Sequence, residues 1–175
     1  MSYLTLDEVK LATIGGPPYL LANYHSPDWW KLIKNHNLPK PVKIKFDDKI
    51  RSNMSSNLKV AKGIYMFFLE TTHSFPPDIY MRHILYVGRV IEGASGHNFH
   101  KRMYHYVKDI GNKKAARNRM RLANLWPDNT YVYFFDLSKR DDKDIKDIET
   151  NIYNHIVPPL NEELHGESRM TRKLY

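Results

Sequence analysis

The spacing of apolar positions changes period along the chain. From Gly63 to Glu70 the run GIYMFFLE is apolar at nearly every position. Tyr65, Phe67 and Leu69 share one face of an extended chain, and Ile64, Met66 and Phe68 share the other. Apolar residues on both faces predict a strand covered on both sides. A second run, over 84–91, follows a Pro-containing loop at 71–83, and the two are expected to form a hairpin. YVYFFDL, over 131–137, reads as a third strand. PVKIKF, over 41–46, alternates apolar with basic residues, the period of a half-buried strand with Lys43 and Lys45 facing outward. Elsewhere the period becomes helical. A helix is expected over 99–110, stopped by Gly111, and another over 115–126, stopped by Pro127. A long one over 141–157 carries Ile145, Ile148, Ile152 and Ile156 at helical spacing and ends at Pro158-Pro159.

The N-terminal part has a different texture. Thr5-x-x-Glu8 has the form of a capping box, predicting a helix over 6–14 that stops at Gly15-Gly16. Ser26-Pro27 offers a second start, for a helix carrying Trp29, Trp30 and Ile33 and ending before Pro39. Residues 51–57 are polar and read as a loop. Glu92–Asn98 reads as a Gly-containing loop, and the stretch from Glu163 onward has no periodicity. The expected division is an N-terminal extension over 1–60, a main domain over 61–165 and a tail over 166–175. The expected class is α/β (α+β): a three-stranded, mainly antiparallel sheet flanked by helices, with a small helical and strand extension before it.

Composition narrows the chemistry. The 175 residues hold 27 Lys and Arg against 19 Asp and Glu, a formal charge of +8 that favours a polyanionic partner, most often nucleic acid. With no cysteine in the chain, disulfides, thiolate metal sites and cysteine nucleophiles are excluded. No apolar run reaches the roughly 20 residues that span a bilayer, and the first residues, MSYLTLDEVK, lack the basic start and apolar core of a secretory signal. The expectation is a cytoplasmic protein with no membrane partner.

The two long strands each carry a tyrosine near a glycine. Gly63-Ile64-Tyr65 spells GIY, and Tyr86-Val87-Gly88 is YIG with valine for isoleucine. Arg102 and Tyr106 follow four residues apart on one helix face. Glu149 lies on the long helix, and Asn161 follows it by twelve residues, just past Pro158-Pro159-Leu160. In this order the set resembles the GIY-YIG nuclease family, from Gly63 to about Asn161. The valine in YVG and the longer spacing between the tyrosines depart from compact members; residues 1–60 lie outside the resemblance.

The resemblance implies a divalent-metal-dependent DNA endonuclease, with Tyr65, Tyr86, Arg102, Tyr106, Glu149 and Asn161 in its site. Glu149 is a hard carboxylate suited to Mg²⁺ or Mn²⁺, with water and phosphate completing the shell. Arg102 offers planar donors to phosphate oxygens, and Arg89 adds a second charge. A free phenol titrates near 10, and a metal, Arg102 or Arg89 nearby would lower that value. The resemblance gives Tyr65 the role of base on the water, or of orienting it, and brings Tyr86 and Tyr106 to the nucleophile or phosphate. Asn161 is expected to brace the site. Gly63 and Gly88 leave room for a phosphate or neighbouring backbone.

The segment from His100 to Arg121 is basic with a single acid, Asp109. Lys113, Arg117 and Arg121 recur at four-residue spacing as a ridge, and Arg89, Lys101, His105 and Lys114 add to the expected DNA contacts. Asn118 and Arg119 are candidates for base edges. His97, His100 and His105 do not match zinc-ligand spacing. Ser95, in GASG, lacks the helix start and paired base of a nucleophile. Trp29-Trp30 reads as core. The expected partner is double-stranded DNA, with a restriction-type enzyme acting as a homodimer. The alternatives are a structure-specific repair, phage or homing nuclease, or a non-cleaving nucleic-acid-binding module on the same fold.

Overall fold

The computed structural model describes residues 3, 5, 8, 35–70, 82–92, 97–156 and 158–161. All but fragments of the expected helix over 6–14 and of the one from Ser26-Pro27 that ends before Pro39 lie outside these residues. So do Trp29, Trp30, Ser95, the tail, and the side chains of Arg117 and Asn118. Among the described residues the order is β1 (Val42–Lys45), α1 (Ser56–Val60), β2 (Gly63–Glu70), β3 (Arg82–Val90), α2 (Phe99–Val107), α3 (Arg117–Asn124), β4 (Thr130–Asp136) and α4 (Asp142–Ile156).

The mixed class is as expected, but the sheet has four strands rather than three, in the order β1-β4-β2-β3 with every pair antiparallel. The fourth is the PVKIKF segment. Its backbone pairs antiparallel with β4, with Ile44 opposite Val132 and Lys43 opposite Tyr133. Lys43 also reaches the nearly buried Glu70 carboxylate, which Tyr133 and Arg82 share.

β2 is central, and its two faces go to two cores. Tyr65 and Phe67 pack with Phe46, Ile50, Met54, Leu58, Phe99, Met103 and Phe134. Ile64 and Met66 pack with Val87 and the α4 isoleucines Ile145, Ile148, Ile152 and Ile156. Each fully buried side chain of this size contributes roughly 1.5–3 kcal/mol, so the two-sided burial anchors the fold. Ile50, Met54 and Leu58 stand at four-residue spacing before the strand. The loop expected over 51–57 holds only to Ser55, whose hydroxyl accepts from Leu58 N at 3.3 Å and starts α1.

β2 and β3 form the expected hairpin pair. A bulge between Phe67 and Phe68 leaves Leu85 with no opposite residue on β2. Both helices after the hairpin are shorter than their periodicity predicts. α2 stops at Val107 because tight turns follow, with Asp109 N and Ile110 N each bonding to a carbonyl three residues back at 3.1 Å. The buried Asn124 side chain accepts from Gly111 N at 2.8 Å and donates to Asp109 O at 3.1 Å. α3 starts at Arg117 rather than Ala115, because Asn112 captures the preceding residues in a turn: its side chain accepts from Lys114 N at 3.0 Å and its carbonyl from Ala115 N at 3.2 Å. Lys113 therefore lies outside the helix, and the ridge Lys113–Arg117–Arg121 does not form on one helix. The capping box does form. Glu8 N donates to Thr5 Oγ1 at 3.3 Å and Thr5 N to Glu8 Oε2 at 2.9 Å. No helix among the described residues is long and apolar enough to cross a membrane.

Candidate functional site

The glycines explain the position of the first tyrosine. Gly88 is the cross-strand partner of Tyr65, and a Cβ on Gly88 would stand 2.4 Å from Tyr65 Oη and 2.5 Å from Cζ. The phenol therefore crosses β3 through the gap that glycine leaves; Gly88 makes room for a ring. Gly63 serves the backbone. Its φ is +145°, and a Cβ there would meet Phe135 O at 2.1 Å, so only glycine lets β2 and β4 approach this closely.

Around Tyr65 the expected residues converge. Its ring packs against Tyr86 and, edge to face, against Phe67 and Tyr106. Its hydroxyl lies 3.0 Å from Tyr106 Oη and accepts from Arg102 Nε at 2.8 Å. Arg102 and Tyr106 meet the same oxygen because they lie one turn apart on α2. Asn98 sets that helix's start, its side chain accepting from Lys101 N at 2.8 Å.

Burial decides the charge state of these phenols. Tyr65 is fully buried and Tyr106 nearly so. Burial raises the Tyr65 pKa above the ordinary phenol value, nearby Tyr86 adds to the rise, and the opposing Arg102 charge is too weak to reverse it. Tyr106 moves the same way, chiefly by burial and then by the neighbouring Tyr65 oxygen. The Arg102 charge by itself therefore does not lower the Tyr65 phenol as expected of it: desolvation of the anion exceeds the help from the guanidinium.

Above this layer lies an open cleft of about 390 Å³, lined by Tyr86, Arg89, His97, Arg102 and Glu149, with Val90 and Ile91 as an apolar wall. Its residues come from both faces of the sheet. Tyr86 pairs across with Phe67, and Arg89 with Ile64, so the two side chains leave β3 on opposite faces. Glu149 lies on α4, over the face opposite Tyr65, yet its carboxylate lines the same cleft and forms an ion pair with Arg89. Asn161 sits at the outer edge of β3. Its side chain accepts from Val87 N at 2.9 Å and donates to Val87 O at 2.8 Å, and Leu160 N adds a bond to Leu85 O at 3.0 Å. This turn braces the strand between Tyr86 and Gly88.

Among the described residues no group of three or more His, Asp or Glu side chains stands ready for a metal ion. Glu149 alone lines the cleft as a carboxylate. One carboxylate fits Mg²⁺, which keeps several waters and takes substrate phosphates as ligands. The Arg89 ion pair engages only the Oε2 oxygen of Glu149.

The basic residues disperse. Lys101 and His105 lie beside the cleft, in a neighbouring pocket that shares His97 with it. Lys113 instead pairs with Glu8 at 2.7 Å, and Arg119 with the buried Asp109 at 3.3 Å. Lys114 is exposed in the turn before α3, and Arg121 is half-buried on it. His97 in the cleft, and Arg51 and Tyr104 in the neighbouring pocket, are residues that motif reasoning did not select. Only the fold brings Arg51 to α2, so no spacing in the sequence announces it.

No protein-family model matches the chain, and no curated protein or solved structure matches it.

Proposed function

We propose that the chain is a divalent-metal-dependent endonuclease that hydrolyses phosphodiester bonds in double-stranded DNA. The observation that carries this reading is the convergence of Tyr86, Arg89, Arg102, His97 and Glu149 on one open cleft, with Arg102 fixed from beneath by Tyr65. The +8 charge of the chain supports a polyanionic substrate.

In this reading Glu149 holds Mg²⁺ or Mn²⁺. Bound there, the ion would supply positive charge beside the scissile phosphate and would favour the ionised form of water. Arg102 takes the non-bridging phosphate oxygens. Its side chain is already oriented by the Tyr65 hydroxyl, so little reorganisation is needed when charge develops. Arg89, once separated from Glu149, is a second donor to the same phosphate. Tyr86 presents its hydroxyl to the cleft and orients water. Neutral Tyr65 and Tyr106 hold the guanidinium, and Asn161 holds the strand. A restriction-type enzyme acting as a homodimer in the cytoplasm is the finer reading; a repair, phage or homing nuclease is its rival.

The second reading is a non-cleaving nucleic-acid-binding module. The Arg89–Glu149 ion pair favours it, because it engages one oxygen and offsets the charge of the single carboxylate in the cleft. Incubating supercoiled plasmid with wild type and Glu149→Gln, in Mg²⁺ or in EDTA, separates the two. Nicks or discrete fragments from wild type in Mg²⁺ alone support the nuclease. Plasmid left intact by wild type under every metal condition, but shifted on a gel, supports the module.

A further inference from the structure

We propose that Arg51, His97, Lys101, Tyr104 and His105 form a second subsite that holds a backbone phosphate next to the one being cut. This rests on the nuclease reading and extends it along the DNA strand. The five residues line a pocket of about 280 Å³ that shares His97 with the main cleft, so the two adjoin at that residue. Among the described residues, no acidic side chain lines this second pocket.

The state of Arg51 is the main argument. Among the described residues, Arg89 faces Glu149, Arg82 faces Glu70 and Arg119 faces Asp109. Arg51 is half-buried, and among the described residues it faces no carboxylate. Its Nη2 lies 3.3 Å from His100 Nδ1, and its guanidinium lies over the Tyr104 ring, 5.0 Å from the centroid. The ring and the imidazole hold the cation in place without neutralising it. A partly desolvated guanidinium with no carboxylate beside it among the described residues calls for an anion, and its planar donors match phosphate. Lys101 is exposed on the same helix and supplies a second positive charge at the pocket mouth. Tyr104, 49% exposed, offers an aromatic edge to the sugar.

The test measures binding and cutting separately. Affinity for a fluorescein-labelled duplex of mixed sequence is followed by anisotropy in EDTA over a salt series, for wild type, Arg51→Ala, Arg51→Lys and Lys101→Ala. Each lost phosphate contact lowers the slope of log K against log salt by about 1. Arg51→Ala and Lys101→Ala should each show that loss, and Arg51→Lys should keep the wild-type slope. Cleavage in Mg²⁺ should show the loss mainly in KM. Arg51 also packs against Tyr104, so melting curves check its folding. Lys101→Ala, altered at an exposed position, carries the test if Arg51→Ala unfolds. Wild-type slopes in the folded variants, beside a wild type that binds and cuts, overturn the subsite and leave the nuclease reading standing. A wild type that neither binds nor cuts DNA overturns both.

Discussion

Replacing Gly88 by alanine places a methyl group where the Tyr65 phenol lies. The new Cβ would stand 2.4 Å from Tyr65 Oη, 2.5 Å from its Cζ and 2.9 Å from Tyr86 Cε1. Backbone strain is not the cause, since the glycines with positive φ among the described residues are Gly63 and Gly111. The ring has nowhere to retreat, because it is fully buried against Phe67, Tyr86 and Tyr106. Overpacking of this kind costs about 1–3 kcal/mol. A displaced phenol also loses its bonds to Tyr106 and Arg102, worth roughly 1 kcal/mol for the neutral bond and about 1.5–3 for the charged one. A loss of about 3 kcal/mol or more follows. With a urea slope of about 2 kcal/mol/M the midpoint should fall by about 1.5 M. In a Tyr65→Ala background the same substitution should be nearly neutral, giving a coupling energy of about 3 kcal/mol in the double-mutant cycle. A Gly88→Ala midpoint equivalent to within about 0.5 kcal/mol of wild type would refute the crossing of Tyr65 over β3.

Glu149→Gln should abolish plasmid cleavage while lowering stability by roughly 1–3 kcal/mol, since the carboxylate that pairs with Arg89 is mostly buried; a melt measured beside the nicking assay checks both. Burial raises Tyr65 and Tyr106 above the free-phenol value. Their contribution to stability is therefore complete below about pH 10 and lost as pH climbs toward their folded values. Urea midpoints should fall in that alkaline window, and the fall should be shallower for the double variant Tyr65→Phe/Tyr106→Phe. Glu70 moves the opposite way. Burial pushes its pKa up, but hydrogen bonds from Lys43 and Tyr133 and the Arg82 charge outweigh burial and leave it below the usual carboxylate value. Its contribution is present above about pH 4.3 and lost as pH falls through the lower folded value, so Glu70→Gln should flatten the acid limb of the stability profile.

Much of the fold was legible because β2 carries its own evidence. Apolar residues on both faces of GIYMFFLE predict a central strand, and Tyr65 and Ile64 do go to different cores. The α4 isoleucines were readable for the same reason. β1 was readable as a strand, but its partner was not, since pairing with β4 is a contact across some ninety positions of chain. The ends of α2 and α3 were misread because Asn112 and Asn124 divert the backbone into turns, and a period of apolar residues does not register a side-chain hydrogen bond. At the candidate site the motif order selected residues that meet around Tyr65, together with the carboxylate that faces them. It said nothing of exposure. Arg102 and Tyr86 reach the cleft, whereas Tyr65 is sealed beneath it. Spacing cannot reveal that burial, nor that Arg89 and Glu149 would find each other.

The position of β3 at the sheet edge is what lets the cleft exist. Along any strand, neighbouring side chains leave on opposite faces. Tyr86 and Arg89 therefore diverge, and on a central strand the flanking strands would keep them apart. On an edge strand both can turn around the rim, and residues from α2 on one face and α4 on the other can meet there. An open edge also invites another strand to pair with it. The Leu160–Asn161 turn forestalls this at Val87 and Leu85 by satisfying their outward backbone groups. It takes the place of a strand while leaving the rim beyond Gly88 open. Asn161→Ala would therefore leave a backbone donor and acceptor unpaired between Tyr86 and Gly88, and the disturbance would reach Tyr65 through the gap at Gly88 without any change in the cleft's charges.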